Sequence, residues 1–258
     1  MVYEEIQMNK ETLYIVMPAY NEEANIKNVI DDWYPIIEKM QKMESGADSR
    51  LVIIDDGSRD DTYKMMCEYA KERPLFVPLT KENEGHGATV LYGYQYALEH
   101  DADYIFQTDS DGQTLPEEFE QFWDEREKYD FLIGYRNNRE DGLSRVIVTK
   151  TLRTVIRICF GVDIIDANTP YRLMSENTLR ENIKFIPDKF NLSNVILSVI
   201  YHKKNQKVKY IPITFRPRQG GVNSINIRKI IKIGLQAVND FREINKSLSE
   251  IEKEYKEA

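Results

Sequence analysis

Short apolar segments alternate with longer amphipathic segments through about the first 110 residues. The apolar segments 13–20, 50–58, 75–80 and 103–108 have the length and composition of buried strands that end in turn or polar residues. Between them, apolar residues recur every three or four positions, which is the spacing of helices that bury one face. Four alternations of this kind predict βαβ units. The expected fold is therefore α/β, with a mainly parallel central sheet flanked by helices.

The second half of the chain is less regular but carries the same two patterns. Strands are predicted at 131–136 and 208–218, and helices at 144–160 and from Ile225 to the end. No repeat or low-complexity linker separates the halves, which favours one domain over residues 1–223. Residues 224–258 are expected to form a C-terminal helical extension with a frayed end.

Polar residues collect where three of the predicted strands end. The segments concerned are Tyr20-Asn21-Glu22, Asp55-Asp56-Gly57-Ser58 and Asp109-Ser110-Asp111. In open α/β sheets, ligands bind in the crevice outside the carboxyl ends of the strands. These segments are therefore expected to converge on one binding site.

Asp109 and Asp111 are candidates for a divalent metal site. Two neighbouring carboxylates repel each other, and Mg²⁺ or Mn²⁺ removes that repulsion while also binding substrate phosphates. Gln113 offers an amide oxygen, and Gly112 permits a tight turn. The alternative is a solvated Asx turn. The position after a buried strand, beside two similar strand ends, favours the metal.

Asp55 and Asp56 are candidates for recognition of a base or a ribose. A carboxylate can accept the ring N–H of uracil or guanine, whereas adenine and cytosine carry no donor at that nitrogen. The sequence leaves uracil and guanine open, and the same four residues are also typical of a generic turn.

Two further segments carry groups suited to phosphate. Residues 83–89 place glycines around His86 before a predicted helix, whose first amides can face a phosphate or ribose. They do not match the P-loop, and no early strand carries G-x-G-x-x-G. Residues 213–229 gather basic side chains around a Gly-Gly turn, suited to phosphate oxygens or simply to solvent. These are Arg216, Arg218, Arg228 and Lys229.

Charge and hydropathy narrow the possible partners. The net charge of −8 and the pI of about 5.2 argue against nucleic acid, which selects basic domains. No apolar run approaches the roughly 18 residues that a membrane span requires. The first ten residues lack the apolar core of a signal peptide. We therefore expect a soluble, cytoplasmic protein.

In their order and spacing, these segments resemble the family-2 inverting glycosyltransferases of GT-A fold, and most of all the polyprenyl-phosphate sugar transferases. The resemblance covers roughly residues 12–228. Each motif is common alone, but seven in order are specific. They are VMPAYNEEANI, VIIDDGSRDDT, NEGHGAT, DYIFQTDSDGQ, GYR, DANTPYRLMS and ITFRPRQGGVNSI. The implied organisation is a GT-A domain with a nucleotide-sugar lobe at about 1–113 and an acceptor lobe at about 114–223.

The resemblance also implies roles for individual residues. The metal would be held by Asp109, Asp111 and Gln113. The residues expected to contact the nucleotide sugar are Pro18, Ala19, Tyr20, Glu22, Asp55, Asp56, Ser58, Gly85, Gly87, Ala88, Asp109, Ser110 and Arg218. On the acceptor side, Arg136 and Arg145 match basic positions near the transferred phosphate group. Asp166 and Arg172 lie in the stretch that shapes the acceptor site.

The chain departs from the family pattern at several of these positions. His86 stands where Lys is usual, and Pro170 where Gly is common. Relatives that act on lipid phosphates often carry Gln-x-Glu, and those that act on hydroxyls carry Glu-Asp, where this chain has Asn191, Ser193 and Asn194. Asp188 is the acid nearest to that stretch.

The implied reaction is a metal-dependent, inverting transfer of a sugar from a UDP- or GDP-sugar, with Asp111, Arg136 and Arg145 in catalytic roles. A polyprenyl phosphate acceptor is already anionic and needs no general base. A hydroxyl acceptor in cell-surface glycan synthesis would need one, for which Asp188 is the candidate. A non-catalytic nucleotide-sugar-binding protein is the third alternative. With a lipid acceptor, the helix from Ile225 could lie on the inner face of the membrane, or it could simply pack on the core.

Overall fold

The computed structural model describes residues 11–43, 48–136, 143–217, 241–242 and 244–246, with the backbone alone for 143–150. The strands are β1 (Leu13–Ala19), β2 (Arg50–Asp55), β3 (Phe76–Thr80), β4 (Tyr104–Thr108), β5 (Phe131–Arg136), β6 (Tyr171–Ser175) and β7 (Val208–Ile213). The helices are α1 (Ile26–Met43), α2 (Thr62–Ala70), α3 (His86–Glu99), α4 (Glu120–Trp123), α5 (Leu143–Phe160), α6 (Glu176–Ile183) and α7 (Ser193–Lys203).

The seven strands form one sheet in the order β3-β2-β1-β4-β6-β5-β7. β1 pairs in parallel with β2 and β4, and β5 pairs in parallel with β7. Of the described strands, only β6 runs against its neighbours β4 and β5. The prediction of a single α/β domain with a mainly parallel sheet flanked by helices is thus confirmed.

Both faces of the sheet are covered, which explains the continuous apolar runs of its central strands. All seven residues of β1 are buried. On one face, Ile15 and Met17 join a core with Trp33 of α1 and Phe106. On the other, Val16 joins a core built on α3, α5 and α7. Helix α3 approaches closely because Gly93 faces β1: a Cβ there would lie 2.2 Å from Cγ1 of Val16.

Strand β6 was not predicted, and its direction determines which loop reaches the candidate site. It is five residues long, follows Pro170 and carries a charged residue, Arg172, in a fully buried position. Because β6 is antiparallel, its amino end lies at the edge where the other strands have their carboxyl ends. The loop that precedes it, residues 161–170, therefore reaches the same edge as the aspartates that follow β4.

The predicted C-terminal features are covered only in part. β7 ends at Ile213, five residues short of the predicted strand end. The predicted boundary at 223/224 lies outside the described residues, as does most of the helix predicted from Ile225. Within the described part, Phe241 and Ile244 are buried, and the ring of Phe241 lies 5.3 Å from that of Phe160 of α5.

Candidate functional site

The loops after β1 and β2 are clasped together by short polar contacts. The backbone N–H of Asn21 donates to Ser58 Oγ at 2.9 Å, and that of Arg59 donates to Asn21 Oδ1 at 2.9 Å. The N–H of Glu22 donates to Thr62 Oγ1 at 2.9 Å. This clasp fixes the rim on which Tyr20, 41% exposed, projects into solvent.

Pro18, Ala19 and Glu22 are less accessible than Tyr20. Pro18 and Ala19 are the last two residues of the buried strand β1. Glu22 is also buried, and its Oε2 accepts a 2.7 Å bond from Asn25 Nδ2 just before α1 begins. Among these four predicted nucleotide residues, Tyr20 presents the most exposed surface.

Asp55 and Asp56 are both buried and both hold neighbouring backbone in place. Asp55 accepts from Thr80 Oγ1 at 2.9 Å and from the N–H of Ser58 at 3.2 Å. Asp56 accepts from Lys81 Nζ at 3.0 Å and from the N–H groups of Glu84 and Gly85 at 2.9 and 2.8 Å. Any bond from a base would use the remaining acceptor capacity of these oxygens.

An ion-pair chain runs from Asp56 to the segment before α7. Lys81 contacts Asp56 at 3.0 Å and Glu84 at 3.1 Å, and Glu84 contacts Lys189 Nζ at 2.5 Å. The hydrogen bonds from Lys189 and Lys81 lower the pKa of Glu84, and the bond from Glu84 raises the pKa of Lys189. These ion pairs link the predicted base-binding carboxylate to Lys189 on the predicted acceptor side.

The start of α3 lies directly against residues 190–191. Gly85 has φ of 94°, and a Cβ there would lie 2.9 Å from Asn191 Oδ1. A Cβ on Gly87 would lie 2.2 Å from the carbonyl oxygen of Phe190. These glycines thus permit two chain segments to meet, and Ala88, also buried, follows them. Their predicted contact with a nucleoside stays a prediction.

The turn after β4 presents Asp109 and Asp111 at the centre of the edge. Ser110 is buried and donates to the carbonyl oxygen of Pro18 at 2.7 Å, which ties this turn to β1. Asp111 Oδ1 accepts from the N–H of Gln113 at 3.1 Å, and Gly112 has φ of 71°. The Asx turn is therefore present, and its hydrogen bond orients the carboxylate of Asp111.

His86 contacts the first of these aspartates. Its Nε2 lies 2.9 Å from Asp109 Oδ1, and its side chain is 48% exposed. Although the surrounding protein disfavours the charged ring, the charge and hydrogen bond of Asp109 and the charge of Asp111 outweigh this and raise the pKa of His86. The His86 ring thus lies where the family pattern usually has Lys.

The donor set around Asp109 and Asp111 fits a hard divalent cation. Within the described ranges, no three His, Cys, Asp or Glu side chains are grouped closely enough to hold a metal by themselves. A cation held by Asp109 and Asp111 would complete its shell with phosphate oxygens and water, as Mg²⁺ commonly does. Gln113 is buried and its Nε2 donates to the carbonyl oxygen of Arg216 at 2.8 Å, so only its amide oxygen could ligate.

Arg136 ends β5 at the same edge and is paired with Asp166. Its Nε and Nη2 donate to the two carboxylate oxygens, each at 2.9 Å, and the guanidinium lies 5.2 Å from the ring centre of Phe215. Two residues predicted on the acceptor side are therefore brought together. Arg145 lies in α5 with only its backbone described, and Arg218 lies outside the described residues.

The segment before α7 carries the residues that replace the expected acids. Asp188 is exposed on the turn next to Lys189. Ser193 and Asn194 begin α7 and are buried, and the hydroxyl of Ser193 and the amide of Asn194 have no hydrogen-bond partner within the described structure. Neutral polar groups thus occupy the start of this helix.

The sequence profile described as glycosyl transferase family 2 matches residues 14–227, which is most of the chain. The protein belongs to glycosyltransferase family 2. The resemblance predicted from the seven motifs, and the enzyme class with it, is confirmed.

The curated relatives of this glycosyltransferase include enzymes named for lipid phosphates. It is 24% identical over 222 residues to undecaprenyl-phosphate 4-deoxy-4-formamido-L-arabinose transferase of Pectobacterium atrosepticum, which covers 85% of this chain but 64% of that protein. It is 26% identical over 227 residues to polyprenol monophosphomannose synthase of Mycolicibacterium smegmatis, covering 83% and 82%. The chain thus spans just under two thirds of the first relative's length.

Solved structures confirm the GT-A fold. Glucosyl-3-phosphoglycerate synthase from Mycobacterium tuberculosis, crystallised with Mn²⁺ and UDP-glucose, superposes with a TM-score of 0.64 at 17% identity, covering 92% of this chain and 79% of that one. A structure of Staphylococcus aureus TarS 1–349 gives a TM-score of 0.53 at 16% identity, covering 80% and 60%. At these identities the likeness concerns the fold.

The structure of the glycosyltransferase also reveals a buried hub that sequence reasoning missed. Arg172 is fully buried and donates to the carbonyl oxygens of Ala167, Thr169 and Asn194 and to Ser198 Oγ. Burial lowers the pKa of its guanidinium, against the charges of Asp166 and Asp109. The side chain was predicted to shape the acceptor site, and its contacts show that it joins the 167–169 loop to the start of α7.

In the parts of the chain that are described, every helix is too short or too polar to cross a bilayer.

Proposed function

We propose that the protein is a metal-dependent, inverting transferase that moves a sugar from a UDP- or GDP-sugar to a polyprenyl phosphate. The observation that carries this is the meeting of three groups at one sheet edge. Asp109 and Asp111 follow β4, and the clasped loops after β1 and β2 lie beside them. Asn191, just before α7, lies against Gly85 and Gly87 at the start of α3, whose first residue, His86, contacts Asp109.

The donor would lie over the carboxyl ends of β1, β2 and β4. Tyr20, Ser58, Asp55 and Asp56 would hold the nucleoside, as the exposure of Tyr20 and the position of the two aspartates support. A bound Mg²⁺ or Mn²⁺, ligated by Asp109, Asp111 and Gln113, would supply Lewis-acid stabilisation of the leaving diphosphate. Crystals of glucosyl-3-phosphoglycerate synthase hold Mn²⁺ with UDP-glucose on the same fold, which supports a divalent metal.

The chain's own cations would stabilise the phosphates. Arg136 would contribute fixed positive charge near the reacting groups, and its pairing with Asp166 would fix the orientation of the guanidinium. Arg145 and Arg218 are assigned the same role from the family pattern. His86 would hold Asp109 in position from the other side.

The acceptor side favours a substrate that brings its own negative charge. A phosphate oxygen attacks without losing a proton, so the neutral Asn191, Ser193 and Asn194 suffice at the start of α7. A hydroxyl acceptor would need a base, and Asp188, the candidate, is exposed and adjacent to Lys189. The names of two relatives, an undecaprenyl-phosphate transferase and a polyprenol monophosphomannose synthase, point the same way. This acceptor would place the protein at the inner membrane face.

A ligand screen followed by a transfer assay tests the proposal. Thermal unfolding with Mn²⁺ and each of several UDP- and GDP-sugars identifies the donor, since a bound donor raises the midpoint by mass action. Transfer from that donor to a short-chain prenyl phosphate is then measured. Asp111→Asn should reduce transfer by about 10²-fold or more, as loss of a group that stabilises the transition state commonly does.

The matched control is Asp124→Asn. Asp124 is exposed at the end of α4, which packs through Trp123 on Tyr104 at the opposite end of β4. It should leave transfer unchanged. Donor binding without transfer to any phosphate or hydroxyl acceptor would instead support a non-catalytic binding protein. Transfer that is metal-independent and insensitive to Asp111→Asn would refute the role of the pair.

A further inference from the structure

Exposed apolar side chains are unevenly placed on this protein. In the described residues, the large apolar side chains left exposed are Tyr20, Met43, Tyr92, Ile158 and Ile165. Single exposed residues of this kind are ordinary. Ile158, however, is 78% exposed, and Ile165, at 49%, lies only seven residues further along the chain. These two isoleucines are called the apolar edge below.

Ile158 lies on the face of α5 that points away from the core. Ile156 and Phe160 are buried on the opposite side, and Phe160 is covered by Phe241. A residue two positions from each of them is turned by about 200° around the helix axis. Arg157 is exposed beside Ile158 on this outer side. The core therefore gives no reason for an isoleucine here.

The loop after α5 carries the second isoleucine towards the site. It turns at Gly161, which has φ of 72°, and Asp163 accepts two 2.6 Å bonds from Arg153, which hold the loop back along the helix. Ile164 is buried in the core and Ile165 points outward. The next residue, Asp166, forms the bidentate pair with Arg136. The apolar edge thus ends directly at the proposed acceptor site.

Charged residues are also unevenly divided between the two predicted lobes. Residues 1–113 carry 10 Lys and Arg against 23 Asp and Glu, whereas residues 114–223 carry 18 against 14. The net charge is therefore −13 in the donor half and +4 in the acceptor half, although the whole chain carries −8. Anionic lipid head groups attract juxtaposed Lys and Arg and repel an acidic surface.

We propose that the apolar edge, together with Arg157, docks the acceptor half onto the surface of an anionic lipid bilayer. The inference rests on the proposed function, because it explains how the phosphate of a membrane-held acceptor reaches Arg136. Ile158 and Ile165 insert among the head groups, as apolar side chains of interfacial proteins do, and Arg157 pairs with lipid phosphate. The donor half, with its negative charge, faces the aqueous side.

Vesicle flotation tests this surface. The protein is mixed with vesicles of phosphatidylcholine and phosphatidylglycerol, or of phosphatidylcholine alone, and the partition coefficient is measured. Wild type should bind the mixed vesicles, and Ile158→Asp should bind them about tenfold more weakly, since burial of an isoleucine at the interface is replaced by a repelled charge. Arg157→Gln should weaken binding to the mixed vesicles by about fivefold and leave phosphatidylcholine unaffected.

The matched control is Met43→Asp. Met43 is 53% exposed at the end of α1 in the acidic half, so the same change there should leave partition unchanged. Thermal unfolding of each variant checks folding, and Ile158→Ser, which adds no charge, replaces Ile158→Asp if the latter unfolds early. Absence of wild-type flotation, or equal flotation of wild type and both Ile158 variants, would overturn the proposal. So would a dimer in sedimentation that Ile158→Asp dissociates.

A second assay separates this inference from the function on which it rests. Transfer to a short, water-soluble prenyl phosphate should be the same for wild type and Ile158→Asp, because the Ile158 side chain is 78% exposed on the outer face of α5. Transfer to a long-chain acceptor in mixed vesicles should fall with the partition coefficient. If wild type fails with the short acceptor, the proposed function is wrong, while flotation still decides whether this surface binds lipid.

Discussion

Substitution of Gly87 by alanine probes the contact that joins the proposed donor and acceptor sides of the site. Gly87 is the second residue of α3, and the position of its missing Cβ lies 2.2 Å from the carbonyl oxygen of Phe190 and 2.6 Å from the backbone of Asn191. An ordinary van der Waals contact begins at 3.4 Å. The segment 190–191 must therefore retreat by about 1.2 Å, because a backbone carbonyl cannot rotate away as a side chain can.

The expected cost follows from two opposing effects. Overpacking of this kind costs about 3 kcal/mol at the upper end of its usual range. Alanine regains about 1 kcal/mol through its higher helix propensity. Gly87→Ala should therefore lower the free energy of unfolding by about 2 kcal/mol. For a protein of this size that corresponds to a fall of about 4–8 °C in the midpoint of thermal unfolding.

Chemical unfolding and transfer kinetics together measure the effect. Because the displaced segment leads into Ser193 and Asn194, the KM for the acceptor should rise more than the KM for the donor. Gly161→Ala is the control for stability: no atom lies within 4 Å of its Cβ position, and its φ of 72° alone should cost about 1 kcal/mol. A Gly87→Ala protein as stable as wild type would refute the close contact between α3 and 190–191.

Three further predictions concern the charged groups around this contact. Arg172→Met should lower the free energy of unfolding by about 3–5 kcal/mol in urea titrations, because it leaves several buried carbonyl oxygens without a hydrogen-bond donor. A loss below about 1 kcal/mol would contradict the role of Arg172 as a buried hydrogen-bonding hub. Arg136→Lys should lower transfer about 10²-fold with little change in donor KM, since an ammonium cannot reproduce the bidentate pair with Asp166; equal activity would remove Arg136 from the mechanism. The pKa of Glu84 is depressed below its ordinary 4.5, so its contribution to stability is complete above that pH and disappears as pH falls through the depressed value. The stability difference between wild type and Glu84→Gln should shrink accordingly in unfolding measured from pH 7 down to acid; a difference that stays constant would refute the pairing with Lys189.

The elements that the sequence predicts well are those whose signal is local. β1, β2 and β4 are buried on both faces, so each appears in the sequence as an unbroken apolar run. Because these strands are parallel, the polar turns that follow them lie at the same edge of the sheet. The convergence of these turns around Asp109 and Asp111 could be predicted for that reason. The end predicted for β7 is approximate, because the apolar pattern does not mark where a strand stops pairing.

The features that escaped prediction depend on partners distant in sequence. β6 is stabilised by pairing with β4 and β5, and its buried Arg172 is tolerated only because carbonyl oxygens from residues 167–194 surround it. Asp56 is predicted to bind a base, and the structure adds that it accepts bonds from Lys81 and from backbone some 28 residues later. A window of sequence does not contain these contacts.

Arg172 gives a physical reason why changes on the proposed acceptor side should reach the turn that is proposed to bind the metal. Its cross-strand partner in the β4–β6 register is Gln107, whose Nε2 lies 3.3 Å from Asp109 Oδ1. On its other side, Arg172 holds the carbonyl oxygen of Asn194 at 2.7 Å. A shift of α7 upon acceptor binding would thus move a buried charge that neighbours Gln107 and, through it, Asp109. Because a buried guanidinium cannot exchange these partners for water, the two sides of the site are held in one geometry.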